Sequence, residues 1–204
     1  MKDFPLFPCS NGMASLILSE VPYRGDAYIF IRAVHGSLAG LLQECGGFCR
    51  AAGAENIYVC GDVDLSHLPV YAHLTERSLP KAKLPQSSAR AELTESPEWT
   101  ELYNTRFRSV HSAKTYLRTP PNAYFIYDGE ERIGLGQLID DELAAVASLQ
   151  QGRGQDCVCA LSAKIEQEAV KLLCAEENFP ATRLYDRMGF SRNKILRIWH
   201  RWTP

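Results

Sequence analysis

The 204-residue chain is predicted to be an α/β protein (α+β by some schemes): a mixed, central twisted sheet with helices on both faces. Strand–helix–strand order occurs twice, over residues 27–60 and again over residues 143–174, and such crossovers lay strands parallel with the helix packed on the sheet. Between them, Asp128-Gly129-Glu130-Glu131-Arg132 separates two apolar runs as a hairpin turn does, which adds antiparallel strands. Apolar residues make up 46% of the chain, enough to cover both faces of such a sheet.

In the N-terminal half, residues 14–19 and 27–34 read as strands, the second rich in β-branched and aromatic side chains. Ser37 suits the cap of a helix running to about residue 52. Residues 56–60 (NIYVC) are a further strand, and residues 68–77 read as a second, shorter helix. Residues 75–92 are rich in Pro, Ser and charge and read as a connection between two halves. In the C-terminal half, a helix is expected over 97–110, with Pro97 in its first turn, and a short one over 112–117. Strands follow at 123–127, 132–139 and 143–149, then a helix at 157–165, a strand at 169–174, a helix at 178–188 ending at Gly189, and a last strand at 194–202.

The net charge is −2 and the sequence pI about 6.2, with no basic stripe, which excludes a nucleic-acid binder. No apolar run approaches the roughly 20 residues that cross a bilayer. The N-terminus has no apolar signal region, so a cytoplasmic location is expected. The seven cysteines form no CxxC pair and no zinc spacing with the scattered histidines, so they read as reduced, mostly buried thiols and no metal site is expected.

Two motifs carry chemistry. The first is Gln151-Gly152-Arg153-Gly154-Gln155-Asp156, between a strand and a helix. Glycines bring the main chain close to a ligand, a helix N-terminus offers unpaired N–H groups to a pyrophosphate, and Arg153 adds a cation. An ordinary strand-to-helix turn is the other reading. The second is Asn178-x-x-Ala181-x-x-Leu184-Tyr185-x-x-x-Gly189-Phe190. Asn178 sits at an N-cap position, while Ala181, Leu184 and Tyr185 share a helix face that could equally be plain core.

Together the two motifs resemble the GNAT superfamily of acetyl-CoA-dependent N-acetyltransferases, whose Q/R-x-x-G-x-G/A loop and N-x-x-A-x-x-L-Y-x-x-x-G-F helix they match in order and spacing over residues 88–204. The resemblance implies the GNAT (acyl-CoA N-acyltransferase) fold, with acetyl-CoA as co-substrate and a small-molecule or peptide amine as acceptor, no nucleic-acid or membrane partner, and a homodimer left open. It implies that Val146, Ala147 and Ser148 line the pantetheine arm and that residues 151–156 cradle the pyrophosphate. Asn178 would meet the pantetheine or cap its helix. Tyr185 would be the general acid to the CoA sulfur, a phenol and a thiol having similar proton affinities. Glu142, beside Asp140 and Asp141, is the candidate general base, with Glu176 and Glu177 behind it.

Asp156 departs from the family pattern, which has Gly or Ala there, and a proline usual near Ser148 is missing. Asp156 either points away from the phosphates or weakens their binding, and the second outcome would leave a catalytically silent CoA-binding or interaction module. Residues 86–204 are thus expected to be an acetyltransferase domain. Residues 1–85 read as a degenerate half-domain of the same kind, or as an unrelated α/β lid, because Val34-His35-Gly36-Ser37 has no phosphate loop.

Overall fold

The computed structural model describes residues 6–111 and 113–203. The first elements are β1 (Leu6–Cys9), β2 (Gly12–Ile17), α1 (Val21–Arg24), β3 (Asp26–Val34), α2 (Leu38–Ala51), β4 (Asn56–Cys60) and β5 (Val70–Pro80). A 3-10 turn (Lys81–Lys83) leads to β6 (Arg90–Leu93), α3 (Pro97–Phe107), β7 (Ala123–Asp128), β8 (Glu131–Ile139) and β9 (Glu142–Ser148). The chain closes with α4 (Gly154–Ser162), β10 (Ala169–Ala175), α5 (Phe179–Met188) and β11 (Ser191–Trp202). The fold is the mixed α/β one that the sequence predicts.

Two compact units divide the chain: Met1–His73 with Arg197–Pro204, and Leu74–Leu196. The line between these units falls inside β5. Residues 74–80 pair with β10 and so belong to the second unit, while the end of β11 pairs with β4 and belongs to the first.

In the first unit the strand order is β1-β2-β3-β4 followed by the end of β11, and only β3 and β4 are parallel. Ser37 caps α2 by accepting from the Gly40 amide at 3.3 Å. Leu41, Leu42, Cys45 and Cys49 recur at helical spacing and pack on Ile29, Ile31, Ile57 and Val59, each burial contributing roughly 1.5–3 kcal/mol for the larger side chains. A Cβ at Gly46 would lie 2.1 Å from the Trp202 ring, so the indole lies directly on the backbone of α2. His200 is buried, with Nδ1 3.1 Å from the Leu68 carbonyl, a structural contact.

In the second unit the order is β5-β10-β9-β8-β7-β6. On one face α4 and α5 bury Cys157, Val158, Leu161, Tyr185 and Met188 against Ile126, Leu172 and Val170. On the other, α3 buries Trp99 and Tyr103 against Phe125, Leu135 and Ala145.

Two expected helices are absent. Residues 68–77 are not helical but run into β5: Thr75, Arg77 and Leu79 are buried with two-residue alternation, and seven consecutive pairs with β10 outweigh the local spacing. Residues 113–117 form no helix either, and residue 112 lies outside the described residues. There the Asn104 side chain claims both backbone groups of Tyr116, accepting from its amide at 3.0 Å and donating to its carbonyl at 2.8 Å. The helix expected from residue 157 begins one turn earlier, at Gly154. Among the described residues no helix is long and apolar enough to cross a membrane.

Candidate functional site

The site begins where two parallel strands part. β9 and β10 pair at a single position, Leu143 with Leu172. The next residue, Ala144, is a bulge: β8 pairs Leu138 with Leu143 and Gln137 with Ala145, leaving Ala144 without an opposite number. A bulge bends its strand, and here it turns β9 away from β10 immediately beyond their one shared pair. Main-chain groups of β9 past the bulge, where Val146, Ala147 and Ser148 lie half-buried, therefore have no strand on the β10 side. Such an edge can pair with an extended ligand as it would with a strand.

At the open end of β9 stands the N-terminus of α4. Gly152 has φ +83° and open space where a Cβ would be, while Gln151 and Gln155 are exposed. Cys157 N–H bonds to the Arg153 carbonyl, but among the described residues no acceptor meets the amides of Gly152, Gly154, Gln155 and Asp156. This is the ready-made anion site of a helix start. Arg153, however, is already engaged: it reaches Asp128 Oδ2 at 2.5 Å and Asp156 Oδ2 at 2.8 Å. Ser87 donates to Asp156 Oδ1 at 2.8 Å and Ser88 to Asp128 Oδ1 at 2.8 Å. Asp156 is thus turned sideways onto Ser87 and Arg153, and Asp128 is held below the ordinary carboxylate value chiefly by the Arg153 hydrogen bond.

The two sequence motifs meet at Gly154. A Cβ there would lie 3.0 Å from Leu184 Cδ2, so this glycine sets the approach of α4 to α5. Asn178 is the N-cap of α5 and accepts from the Ala181 amide at 3.4 Å, and Gly189 ends the helix at φ +85°. Tyr185 is 8% exposed, its ring 5.3 Å from that of Phe190. Burial pushes its hydroxyl well above the ordinary phenol value, the neighbouring Cys174 adds to this, and the Arg77 charge opposes it. The phenol therefore keeps its proton at neutral pH. Arg77 itself is fully buried and donates to Asp186 at 2.6 Å.

Glu142 opens β9, one residue before the vertex, and is half-buried. Its neighbours are otherwise employed: Asp140 and Asp141 form the turn at positive φ, and the Asp141 carboxylate accepts from the amides of Glu166 and Gln167. Glu176 accepts from Thr75 at 3.1 Å and lies 3.5 Å from Arg192. The fold thus gathers the loop, the parted strand and α5 in one unit, with Glu142 at the far end of β9 from the loop.

Sequence reasoning missed the bulge at Ala144, the Asp128–Arg153 pair and two glycines in β8. A Cβ at Gly134 would meet Cys157 Sγ at 2.3 Å and one at Gly136 would meet Leu161 at 2.5 Å, so both admit α4 onto the sheet. Glycines inside a strand pattern signal such close approach, and Gly134-x-Gly136 was there to be read.

The first unit repeats the β–α–β path with both features altered. β3 and β4 pair continuously at five positions, from Asp26–Asn56 to Phe30–Cys60. The turn leading into α2 is filled by Asn11: its carbonyl accepts from the amides of His35 and Gly36 at 2.8 and 3.1 Å, and its Oδ1 from that of Ser37 at 2.9 Å.

No protein-family model matches the sequence, and no curated protein matches it either. Solved structures do. A conserved Staphylococcus epidermidis protein of unknown function is 10% identical, with a TM-score of 0.63 over 96% of this chain and 91% of that one. A GCN5-related N-acetyltransferase from Kribbella flavida is 12% identical, with a TM-score of 0.57 over 100% and 91%. One from Anabaena variabilis is 12% identical, with a TM-score of 0.56 over 94% of this chain and 59% of that one. At such identities the likeness speaks to architecture: the chain has the GNAT fold, in a divergent form.

Proposed function

We propose that this GNAT-fold chain transfers the acetyl group of acetyl-CoA to a primary amine of a small molecule or peptide, working in the cytoplasm. The observation that carries the reading is the parting of β9 from β10 after Leu143–Leu172, leading to the unpaired amides at the start of α4. The fit to a CoA-type ligand is good: an extended arm suits the free edge of Val146–Ser148, and a diphosphate suits the amides of Gly152, Gly154, Gln155 and Asp156. Asp156 leaves them accessible because its carboxylate lies against Ser87 and Arg153. The coenzyme supplies an acyl group activated as a thioester.

The remaining work falls to side chains. Holding acyl carbon and amine together in a site screened from water removes much of the entropic barrier. Tyr185, kept protonated by burial, can give its proton to the departing sulfur. Glu142, with access to solvent at the vertex, can take the amine proton directly or through water.

A silent CoA-binding module is the second reading, favoured by one observation: Arg153 is paired twice and so lends little charge to a phosphate. Titration calorimetry of CoA into the full chain, followed by acetyl transfer to a panel of amines, decides. Binding with transfer supports the enzyme, binding without transfer to any amine supports the module, and no binding removes both.

A further inference from the structure

Cys9 and Cys45 hold their Sγ atoms 3.4 Å apart, joining the end of β1 to the middle of α2. Among the described residues no other two cysteine sulfurs come within hydrogen-bond reach. Access is unequal: Cys9 is half-buried near the surface, while Cys45 is 0% exposed beneath it. β1 is a short outer strand that pairs with β2 on one side only, so a modest shift of it brings the sulfurs to the roughly 2.05 Å of a disulfide. Glu44, beside Cys45, already grips the turn that follows Cys9, accepting from the Ser10 amide at 2.8 Å and the Asn11 side chain at 2.9 Å.

We propose that Cys9 and Cys45 are a reversible thiol–disulfide modification site, oxidised by a low-molecular-weight disulfide such as glutathione disulfide. The Cys9 thiolate attacks one sulfur of the oxidant, whose S–S bond breaks and releases one thiolate, leaving a mixed disulfide on Cys9. Cys45 then attacks the Cys9 sulfur, the mixed bond breaks, and the departing thiolate takes the Cys45 proton. Two protein thiols are oxidised and one small disulfide is reduced to two thiols. The order follows from access. Cys45 has no exposed surface and its sulfur touches that of Cys9, so it meets the oxidant only through Cys9 and acts as the resolving group, the burial that raises its thiol slowing this second step. Cys49, one turn along α2 and pushed up to about 11 by burial, takes no part.

The bond would tie β1 to α2 and pin the Asn11 turn, constraining the unfolded chain most strongly in the first unit. The test is to incubate the full chain with glutathione disulfide, quench in acid, and alkylate in denaturant. The expected result is five of the seven thiols alkylated, and a non-reducing peptide map that links the Cys9 and Cys45 peptides. The melting temperature should rise on oxidation and return with dithiothreitol. Cys9→Ser and, independently, Cys45→Ala should abolish the link, and Cys49→Ser should keep it. Seven alkylated thiols, a different linked pair, or a bond only between chains would overturn the proposal.

Discussion

At the scale of single residues, the site depends on groups whose protons are fixed by their surroundings. Tyr185 is the clearest: it lies in the apolar packing of α5 and stays neutral far above physiological pH. Tyr185→Phe keeps the ring and removes the proton. Turnover should fall by roughly 10²-fold, the usual scale for a lost general acid, while calorimetric CoA affinity stays within about twofold. Equal losses in both would make Tyr185 a packing residue instead. Asp128 gives a pH prediction. Its folded value is depressed, so its bond to Arg153 contributes fully above the ordinary carboxylate value of 3.8 and is lost as pH falls through the depressed one. Amide NMR signals of residues 151–156 should hold steady from neutral pH down to about that value and move only below it. A titration of these amides between pH 5 and 7 would contradict the pairing.

At the scale of elements, α4 decides the geometry, because its approach to the sheet is set by residues with no side chain. Gly134→Ala would drive a methyl to 2.3 Å from Cys157 Sγ and 2.8 Å from the Ala147 carbonyl. The clash with a main-chain oxygen on β9 cannot be relieved by a rotamer change. Urea unfolding should show a loss of about 1–3 kcal/mol, the range for overpacked cores. CoA affinity should fall with it, since Ala147 stands on the free edge. A variant as stable as the parent would mean that α4 and β8 are less closely packed than described. The bulge at Ala144 works in the same direction: one extra residue in β9 separates a strand that pairs from one that can receive a ligand.

At the scale of the whole molecule, the chain contains the same β–α–β path twice, with the strands paired once in the second unit and five times in the first. In the first unit, β3 pairs with β4 at five positions rather than one, and Asn11 accepts from the three amides that lead into α2. Calorimetry should therefore count one CoA per chain, and a count of two would show that the first unit takes the coenzyme as well.

Much of this was written locally. Ser37, Asn178 and Gly189 mark helix ends by side-chain and backbone chemistry that acts within a few residues, and all three stand where the sequence predicts. The loop at 151–156 and the helix from Asn178 were likewise legible, because each motif is confined to one stretch of chain. Other features depend on residues far apart in sequence. Residues 68–77 read as a helix on their own and run instead into a strand, because β10, nearly a hundred residues on, offered a ladder to complete. The engagement of Arg153 depended on Asp128, and the filling of the turn before α2 on Asn11. Local propensity and capping are properties of neighbouring residues, so the sequence determined them alone. Strand register, the bulge that parts β9 from β10, and the partner each charge finds are decided by what folding brings alongside, and only the tertiary structure holds that information.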